Sequence, residues 1–147
     1  MIRPAAPKDR AVVETIVRDA YSIYLDRMDK PPGPMLDNYG ALIDQGAVSV
    51  LDEDGDVRAI LVLLPQDDHL LLDNIAVRPD YQGSGLGRQL IAFAETEARR
   101  RGFHDVRLYT HVTMVENIAL YARLGFIETR RGCENGYDRV FMTKLLA

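Results

Sequence analysis

The chain has 147 residues, of which 47% are hydrophobic and 27% are charged, and its formal net charge is −4. This length and composition fit an ordinary globular protein with a sizeable core, and the negative charge argues against nucleic acid or an anionic membrane as a partner. The single cysteine, Cys133, excludes an internal disulfide and a multi-cysteine metal site.

The first half of the chain mixes short predicted strands and helices. Residues 1–5 favour a strand, and apolar side chains at steps of three and four predict an amphipathic helix over 7–27. A shorter helix is predicted over 35–44. Two β-branched runs on either side of the turn DEDG indicate a hairpin. The apolar run over 68–77 is typical of a strand that is covered on both faces.

The second half continues with a helix that is predicted over 86–101, where three arginines complement the helix dipole at its end. Alternating side chains predict a strand over 105–111, and the segment ENIALYARLGF predicts a short helix. Two further strands flank the segment ENGYD. We expect the pair Asn135-Gly136 to form a turn in a hairpin loop a little longer than two residues.

The predicted order is β-α-α-β-β-β-α-β-α-β-β. It indicates an α/β (α+β) fold with a mixed central sheet of about seven strands and about four helices on its two faces. The helix over 86–101 connects two strands as a crossover unit. The strands over 68–77 and 105–111 should therefore be parallel.

Nothing in the sequence divides the chain. The proline-rich segment DKPPGPMLD lies between two predicted helices and is expected to be a stiff connection inside a single domain of residues 1–147. The first ten residues lack the apolar region of a signal peptide, and no apolar run is long enough to span a membrane. We therefore expect a cytoplasmic protein.

Three glycines, Gly83, Gly85 and Gly87, stand between the predicted strand 68–77 and the helix that follows. A helix N-terminus carries unpaired N–H groups and a partial positive charge, and glycines remove the side chains that would keep a phosphate away from them. The alternative is a turn of small residues. The familiar nucleotide motifs do not fit, because position 88 is an arginine and no Gly-Lys pair follows.

The segment QGSGLG reads as Gln82-x-x-Gly85-x-Gly87 and resembles the Q/R-x-x-G-x-G/A signature of the GCN5-related N-acetyltransferase (GNAT) family. The segment ENIALYARLGF resembles the next motif of that family. The predicted element order is similar to the family fold over roughly the whole chain, with the weakest match in residues 1–50. The resemblance implies a single N-acetyltransferase domain that uses acetyl-CoA as the acyl donor and needs no metal.

The resemblance also assigns a donor-binding role to two backbone segments and one side chain. The loop would hold the pyrophosphate, with Arg88 near by, while the strand before it would pair with the pantetheine arm and Asn117 would bond the same arm. The implied donor-binding residues are Ile75, Ala76, Val77, Gln82, Gly83, Ser84, Gly85, Leu86, Gly87, Arg88 and Asn117.

Two residues are candidates for proton transfer. Tyr121 stands where the family motif places a tyrosine near the CoA sulfur and would be the acid, although it could instead pack one helix onto the sheet. Asp73 interrupts an apolar strand and would be the base, although it could instead be an ordinary solvent-facing acid. Asn74 should face the opposite way and is a weaker candidate. His111 could carry protons or simply bond backbone.

The sequence therefore predicts an enzyme that moves an acetyl group to a primary amine by direct transfer within a ternary complex. Its acceptor is expected to be a small-molecule amine, in a site walled by residues 20–46 and 130–139. The alternatives are a non-catalytic acyl-CoA-binding or regulatory module, and a protein N-terminal or lysine acetyltransferase. A mononucleotide-binding regulator is disfavoured by the failed motifs. A homodimer is possible.

Overall fold

The structure, a computed structural model, describes residues 1–147 and follows the predicted order of strands and helices. The strands are β1 (Ile2–Pro4), β2 (Val48–Glu53), β3 (Asp56–Pro65), β4 (Leu70–Val77), β5 (Asp105–His111), β6 (Ile127–Glu134) and β7 (Tyr137–Leu145). The α-helices are α1 (Arg10–Tyr21), α2 (Tyr39–Asp44), α3 (Leu86–Arg100) and α4 (Val115–Arg123). No helix is both long enough and apolar enough to cross a bilayer.

The two N-terminal helices are shorter than the sequence pattern predicts. The predicted helix 7–27 is an α-helix only over Arg10–Tyr21, with a 3-10 turn before it and another, Ser22–Arg27, after it. The predicted helix 35–44 starts as α2 only at Tyr39, because the Asn38 side chain accepts the Ala41 N–H (3.1 Å) and caps the helix there. Hydrophobic periodicity does not distinguish 3-10 from α geometry over so short a range.

The sheet is mixed, with the strand order β1-β2-β3-β4-β5-β7-β6. The chain forms two compact units, one of residues 1–63 and 74–90, and the other of residues 64–73 and 91–147. Strand β4 and helix α3 each contribute residues to both units.

The first unit contains the antiparallel strands β1, β2 and β3. The turn between β2 and β3 has two residues, Asp54 and Gly55, and both have positive φ (54° and 88°), as the tight hairpin turn of type I′ requires. Helix α1 contributes the fully buried side chains of Val13, Ile16 and Val17 to the core of this unit.

The second unit contains the parallel pair β4–β5, in which Leu70 lies opposite Val106 and Leu71 opposite Arg107. The predicted parallel crossover is thereby confirmed. Strand β7 pairs antiparallel with both β5 and β6. The predicted longer loop at Asn135-Gly136 is wrong: both residues have positive φ (54° and 79°), and a two-residue turn joins the strands directly.

An ion-pair cluster fastens the N-terminus of the first unit. Arg3 on β1 donates to both carboxylate oxygens of Asp9 (2.8 and 3.1 Å), and its Nε donates to Asp52 on β2 (3.0 Å). Asp9 is buried and also accepts the Ala6 N–H (2.7 Å). The cluster thus fixes the turn that leads into α1. The Arg3 guanidinium holds the pKa of the Asp9 carboxyl below its usual value.

This cluster predicts a pH-dependent contribution to stability. Because the folded-state pKa of Asp9 is lowered, its contribution is present above the unfolded-state pKa and is lost as the pH falls through the folded-state pKa. Asp9→Asn should lower the free energy of unfolding by about 2 kcal/mol at pH 7. The difference from the wild type should shrink below about pH 4.

Urea denaturation at pH 7 and at pH 3 measures the effect, with Asp67→Asn at an exposed position as the control. An equal loss of stability for Asp9→Asn at both pH values would contradict the assigned ion pair.

Candidate active site

The glycine loop opens the first turn of α3 to the surroundings. Gly83 and Gly85 have positive φ (84° and 87°), and a Cβ placed on either would meet no atom within 4 Å. The first intrahelical hydrogen bond runs from the Gln89 N–H to the Gly85 carbonyl (3.2 Å). The N–H groups of residues 86–88 therefore precede the helical hydrogen-bond series, and open space adjoins them. This geometry suits an anion.

Polar side chains brace the loop from within. Gln82 donates from Nε2 to the Val77 carbonyl (3.2 Å), and the Ser84 hydroxyl donates to the Tyr81 carbonyl. The Tyr81 hydroxyl in turn donates to Asp56 (3.1 Å), which also pairs with Arg78 (2.8 Å). The side chains of residues 82 and 84 are therefore engaged in holding the loop, and its backbone is left to face outwards.

The three residues at the end of β4 show how crowded its backbone is. Ile75 and Ala76 are buried, and Val77 is half-buried. The Ile75 carbonyl accepts the Tyr21 hydroxyl (3.2 Å), and the Val77 carbonyl accepts Gln82. A carbonyl has a second lone pair, so both can still accept one further hydrogen bond.

Asn74 belongs to a buried polar cluster. It is 2% exposed, accepts the Tyr21 hydroxyl through Oδ1 (2.7 Å) and donates from Nδ2 to the Tyr39 hydroxyl (2.8 Å). Tyr39 then donates to the Pro34 carbonyl. The cluster ties the end of α1 and the start of α2 to β4, and it gives Asn74 a structural role. Tyr21, Tyr24 and Tyr39, which the sequence suggested as walls of an acceptor site, are buried core residues.

Asp73 stands on the other face of β4 from Asn74 and is half-buried. Strand alternation places it with Leu71, whereas Leu70, Leu72 and Asn74 are all buried on the core face. The carboxylate therefore lies on the face of β4 that is not fully buried. A base that works on an incoming amine needs such a position.

Asn117 and Tyr121 lie on α4, as their segment predicts. Asn117 is half-buried in the first turn, and its Nδ2 lies 3.9 Å from the Met114 sulfur at the N-cap. Tyr121 is 4% exposed and makes an edge contact with Phe126, with ring centroids 5.7 Å apart. The ring of Tyr121 thus packs in the core, which is compatible with an acid–base role for the hydroxyl at its tip.

His111 ends β5 in a half-buried position. Its Nδ1 accepts the Thr113 N–H (3.2 Å), and burial lowers its pKa, opposed by the nearby Asp138 carboxylate. The lowered pKa favours the neutral form of the imidazole, and its Nδ1 also lies 2.8 Å from the Thr113 hydroxyl oxygen. His69 pairs with Asp68 (2.7 Å), His104 is exposed, and Cys133 is exposed on the edge strand β6.

Strands β5 and β7 bring together a group of polar and aromatic residues of which only His111 was a candidate from the sequence. Tyr109 and His111 on β5 lie opposite Phe141 and Arg139 on β7. The Arg139 guanidinium stands 4.2 Å from the centre of the Tyr109 ring and 5.8 Å from that of Tyr137. Alternation in the segments YTH and YDRVF indicates that these side chains share a face within each strand. Only the β5–β7 register shows that the two segments, 28 or more positions apart, lie side by side.

A model of the acetyltransferase (GNAT) family matches residues 11–126, which is more than half of the chain, and the protein therefore belongs to this family of acyltransferases. The resemblance drawn from the glycine loop is thereby confirmed. Enzymes of this family use acetyl-CoA as their acyl donor.

Two relatives, one of them matched both in sequence and in structure, illustrate the likeness. The ribosomal protein bS18-alanine N-acetyltransferase of Escherichia coli K12 is 38% identical over 78 residues, which are 53% of each chain, so the chain spans about half the length of this curated relative. The structure of PaiA N-acetyltransferase from Thermoplasma acidophilum in complex with coenzyme A has a TM-score of 0.85 at 16% identity, covering 99% of this chain and 98% of that one. The E. coli S18-alanine enzyme has a TM-score of 0.71 at 24% identity, covering 99% and 92%. The structural matches confirm the predicted fold.

The loop geometry predicts that substitution of Gly85 costs more stability than substitution of Gly87, while both substitutions weaken acetyl-CoA binding. Gly87 is helical, so Gly87→Val fits the backbone and places a branched side chain beside the exposed N–H groups. Gly85→Val adds the strain of a left-handed conformation, roughly 1–2 kcal/mol. Both variants should lose at least about tenfold in acetyl-CoA affinity, or about 1.4 kcal/mol, measured by calorimetry.

Gly102→Val is the matched control, since Gly102 also has a positive φ (81°) and open space around it, but ends α3 instead of starting it. It should lose stability like Gly85→Val and keep its affinity. Wild-type affinity in both Gly85→Val and Gly87→Val would refute the donor assignment.

Proposed function

We propose that the protein is an acetyl-CoA-dependent N-acetyltransferase that acetylates a primary amine by direct transfer within a ternary complex. The observation that carries the proposal is the open first turn of α3 behind Gly83 and Gly85, in a chain of the acetyltransferase family. A thiol-release assay with acetyl-CoA and a panel of amines tests it. Release of CoA that depends on an amine supports the enzyme, whereas binding without release supports the non-catalytic module.

The donor contacts proposed here are those that the loop can supply. The N–H groups from Gln82 to Gly87 would bind the pyrophosphate, with the positive end of the α3 dipole behind them. Arg88 is exposed at the third helical position and adds a positive charge. Residues 75–77 and Asn117 would hold the pantetheine arm through hydrogen bonds.

The proposed chemistry needs three proton transfers. Asp73 would take a proton from the acceptor ammonium, and the free amine would then attack the thioester carbonyl. As the carbon–sulfur bond breaks, the Tyr121 hydroxyl would give its proton to the departing thiolate. The positively charged nitrogen of the adduct would then lose its extra proton, which restores the Tyr121 hydroxyl. The products are the acetylated amine and the CoA thiol, and no covalent enzyme intermediate is needed.

Two classes of acceptor follow from different observations. A small-molecule amine is the class we propose first, because Arg139, stacked on Tyr109 and paired with Glu134, presents a discrete charged group. The α-amine of a protein N-terminus is the second, favoured by the 38% identity to a ribosomal protein alanine N-acetyltransferase. An acceptor panel that pairs small amines with alanine-ended peptides separates them. A cytoplasmic location, a single domain and a possible homodimer stay predictions.

Asp73→Asn tests the base. The variant should lose kcat/KM by about 10²-fold near neutral pH, where the acceptor is largely protonated, and should recover part of the loss at high pH, where the amine is already free. A pH–rate profile over about pH 6–10 measures this, because alkyl amines lose their proton toward the upper end of that range. An unchanged profile would leave Asp73 without a role in proton transfer.

Tyr121→Phe tests the acid. The substitution removes one oxygen and keeps the ring, so the contact with Phe126 and the affinity for acetyl-CoA should hardly change. Turnover should fall by about 10²-fold, the usual range for a lost acid–base group. The loss should shrink for an acyl donor with a more acidic thiol. If kcat stays near the wild-type value, Tyr121 only packs the helix.

A further inference from the structure

One face of the second unit's sheet carries the residues that we name the acceptor face: Asp73, Tyr109, His111, Tyr137 and Arg139. Leu71 pairs with Arg107, so Asp73 and Tyr109, each two residues further along, share that face. Leu71, Arg107, Tyr109 and Phe141 also line one groove. The pairs His111–Arg139 and Tyr109–Phe141 extend the face onto β7.

Arg139 is held on this face by aromatic rings and one carboxylate. Its guanidinium lies 4.2 Å from the Tyr109 ring centre, and Nη1 bonds Glu134 (2.9 Å). The side chain is 16% exposed, against 44% for Glu134. Nε and Nη2 make no hydrogen bond within the chain, so the planar donor group keeps N–H groups for a ligand. A guanidinium stacked on rings in this way is preorganised to bind a carboxylate in bidentate fashion.

Arg139 shares its carboxylate partner with a second arginine. Glu134 also lies 3.7 Å from Arg130, so two guanidinium groups share one carboxylate. The Asp138 carboxylate lies near His111, the residue opposite Arg139. The acceptor face presents the Arg139 guanidinium over the Tyr109 ring and, on the neighbouring strand β4, the carboxylate of Asp73.

We propose that Arg139 binds the carboxylate of a zwitterionic acceptor, an amino acid, whose amine points toward Asp73. This inference rests on the proposed function and specifies its substrate class. Strand β4 pairs with β5 at Leu70–Val106 and Leu71–Arg107, and Asp73 and Tyr109 follow this pairing by two residues on the same face. An amino acid carries its two charges a few bonds apart. A protein N-terminus has a peptide bond in place of the carboxylate.

The test compares the standard L-amino acids with their amides, which keep the amine and lose the carboxylate charge. The wild type should prefer its best acid over the matching amide by at least about tenfold in kcat/KM. Arg139→Gln should lower kcat/KM for the acid by about 10²-fold and leave the amide nearly unchanged. Arg139→Lys, which keeps the charge without the planar donors, should fall between them.

Arg100→Gln is the matched control, because Arg100 stands at the end of α3 in an ion pair with Glu97 (2.7 Å) and is not part of the acceptor face. It should behave as the wild type. Thermal unfolding and acetyl-CoA affinity of each variant verify that fold and donor binding are kept.

The outcomes separate this inference from the proposed function. Acetylation of amides or of alanine-ended peptides as efficiently as of any amino acid, or an acid preference that survives Arg139→Gln, overturns the inference and leaves the transferase intact. If acetyl-CoA binds and no amine is acetylated, the proposed function fails. In that case, amino-acid binding measured by saturation-transfer NMR tests the carboxylate site on its own. Binding to the wild type that is lost in Arg139→Gln supports the site, and no binding to the wild type overturns it.

Discussion

Side-chain alternation along β4 is the constraint on which the rest of the site depends. Because successive residues of a strand face opposite sides, Asn74 must enter the core if Asp73 is to stay outside it. The structure satisfies the buried amide with the hydroxyls of Tyr21 and Tyr39, and no buried polar side-chain atom of the chain is left without a partner. A shift of one residue would bury the carboxylate and expose the amide, at a cost of several kcal/mol.

The same constraint explains which parts of the fold could be predicted from the sequence. The strand β5 and the start of α3 agree with the predicted ranges 105–111 and 86–101, since alternation and helical periodicity are strong local signals there. The helix 7–27 was predicted too long, because the same apolar spacing continues through the 3-10 turn Ser22–Arg27. The loop at Asn135-Gly136 was predicted too long, since β6 continues to Glu134 and β7 starts at Tyr137, so that only these two residues form the turn.

The three glycines of the loop look equivalent in the sequence and are not equivalent in the fold. Gly83 and Gly85 supply left-handed backbone that other residues adopt only with strain, and Gly87 sits inside the helix. At Gly87 the absence of a side chain is what matters, because a side chain at the second helical position would shield the N–H groups of the first turn. A single pattern therefore combines a conformational requirement with a requirement for access.

The glycine loop and the acceptor face differ in how far the sequence reveals them. A phosphate is bound by backbone N–H groups, and closely spaced glycines at the start of a helix leave those groups accessible, so this requirement is visible within a few neighbouring residues. An acceptor is selected by side chains. Asp73, Tyr109 and Arg139 come from three strands and share a face only through the registers Leu71–Arg107 and His111–Arg139. Either register could shift by two residues and still bury the same face of the strand, so hydrophobic patterning does not determine the register. The strand pairing in the structure is needed to determine it. The family of this protein was therefore readable from one loop, whereas its acceptor class has to be argued from the geometry of the sheet.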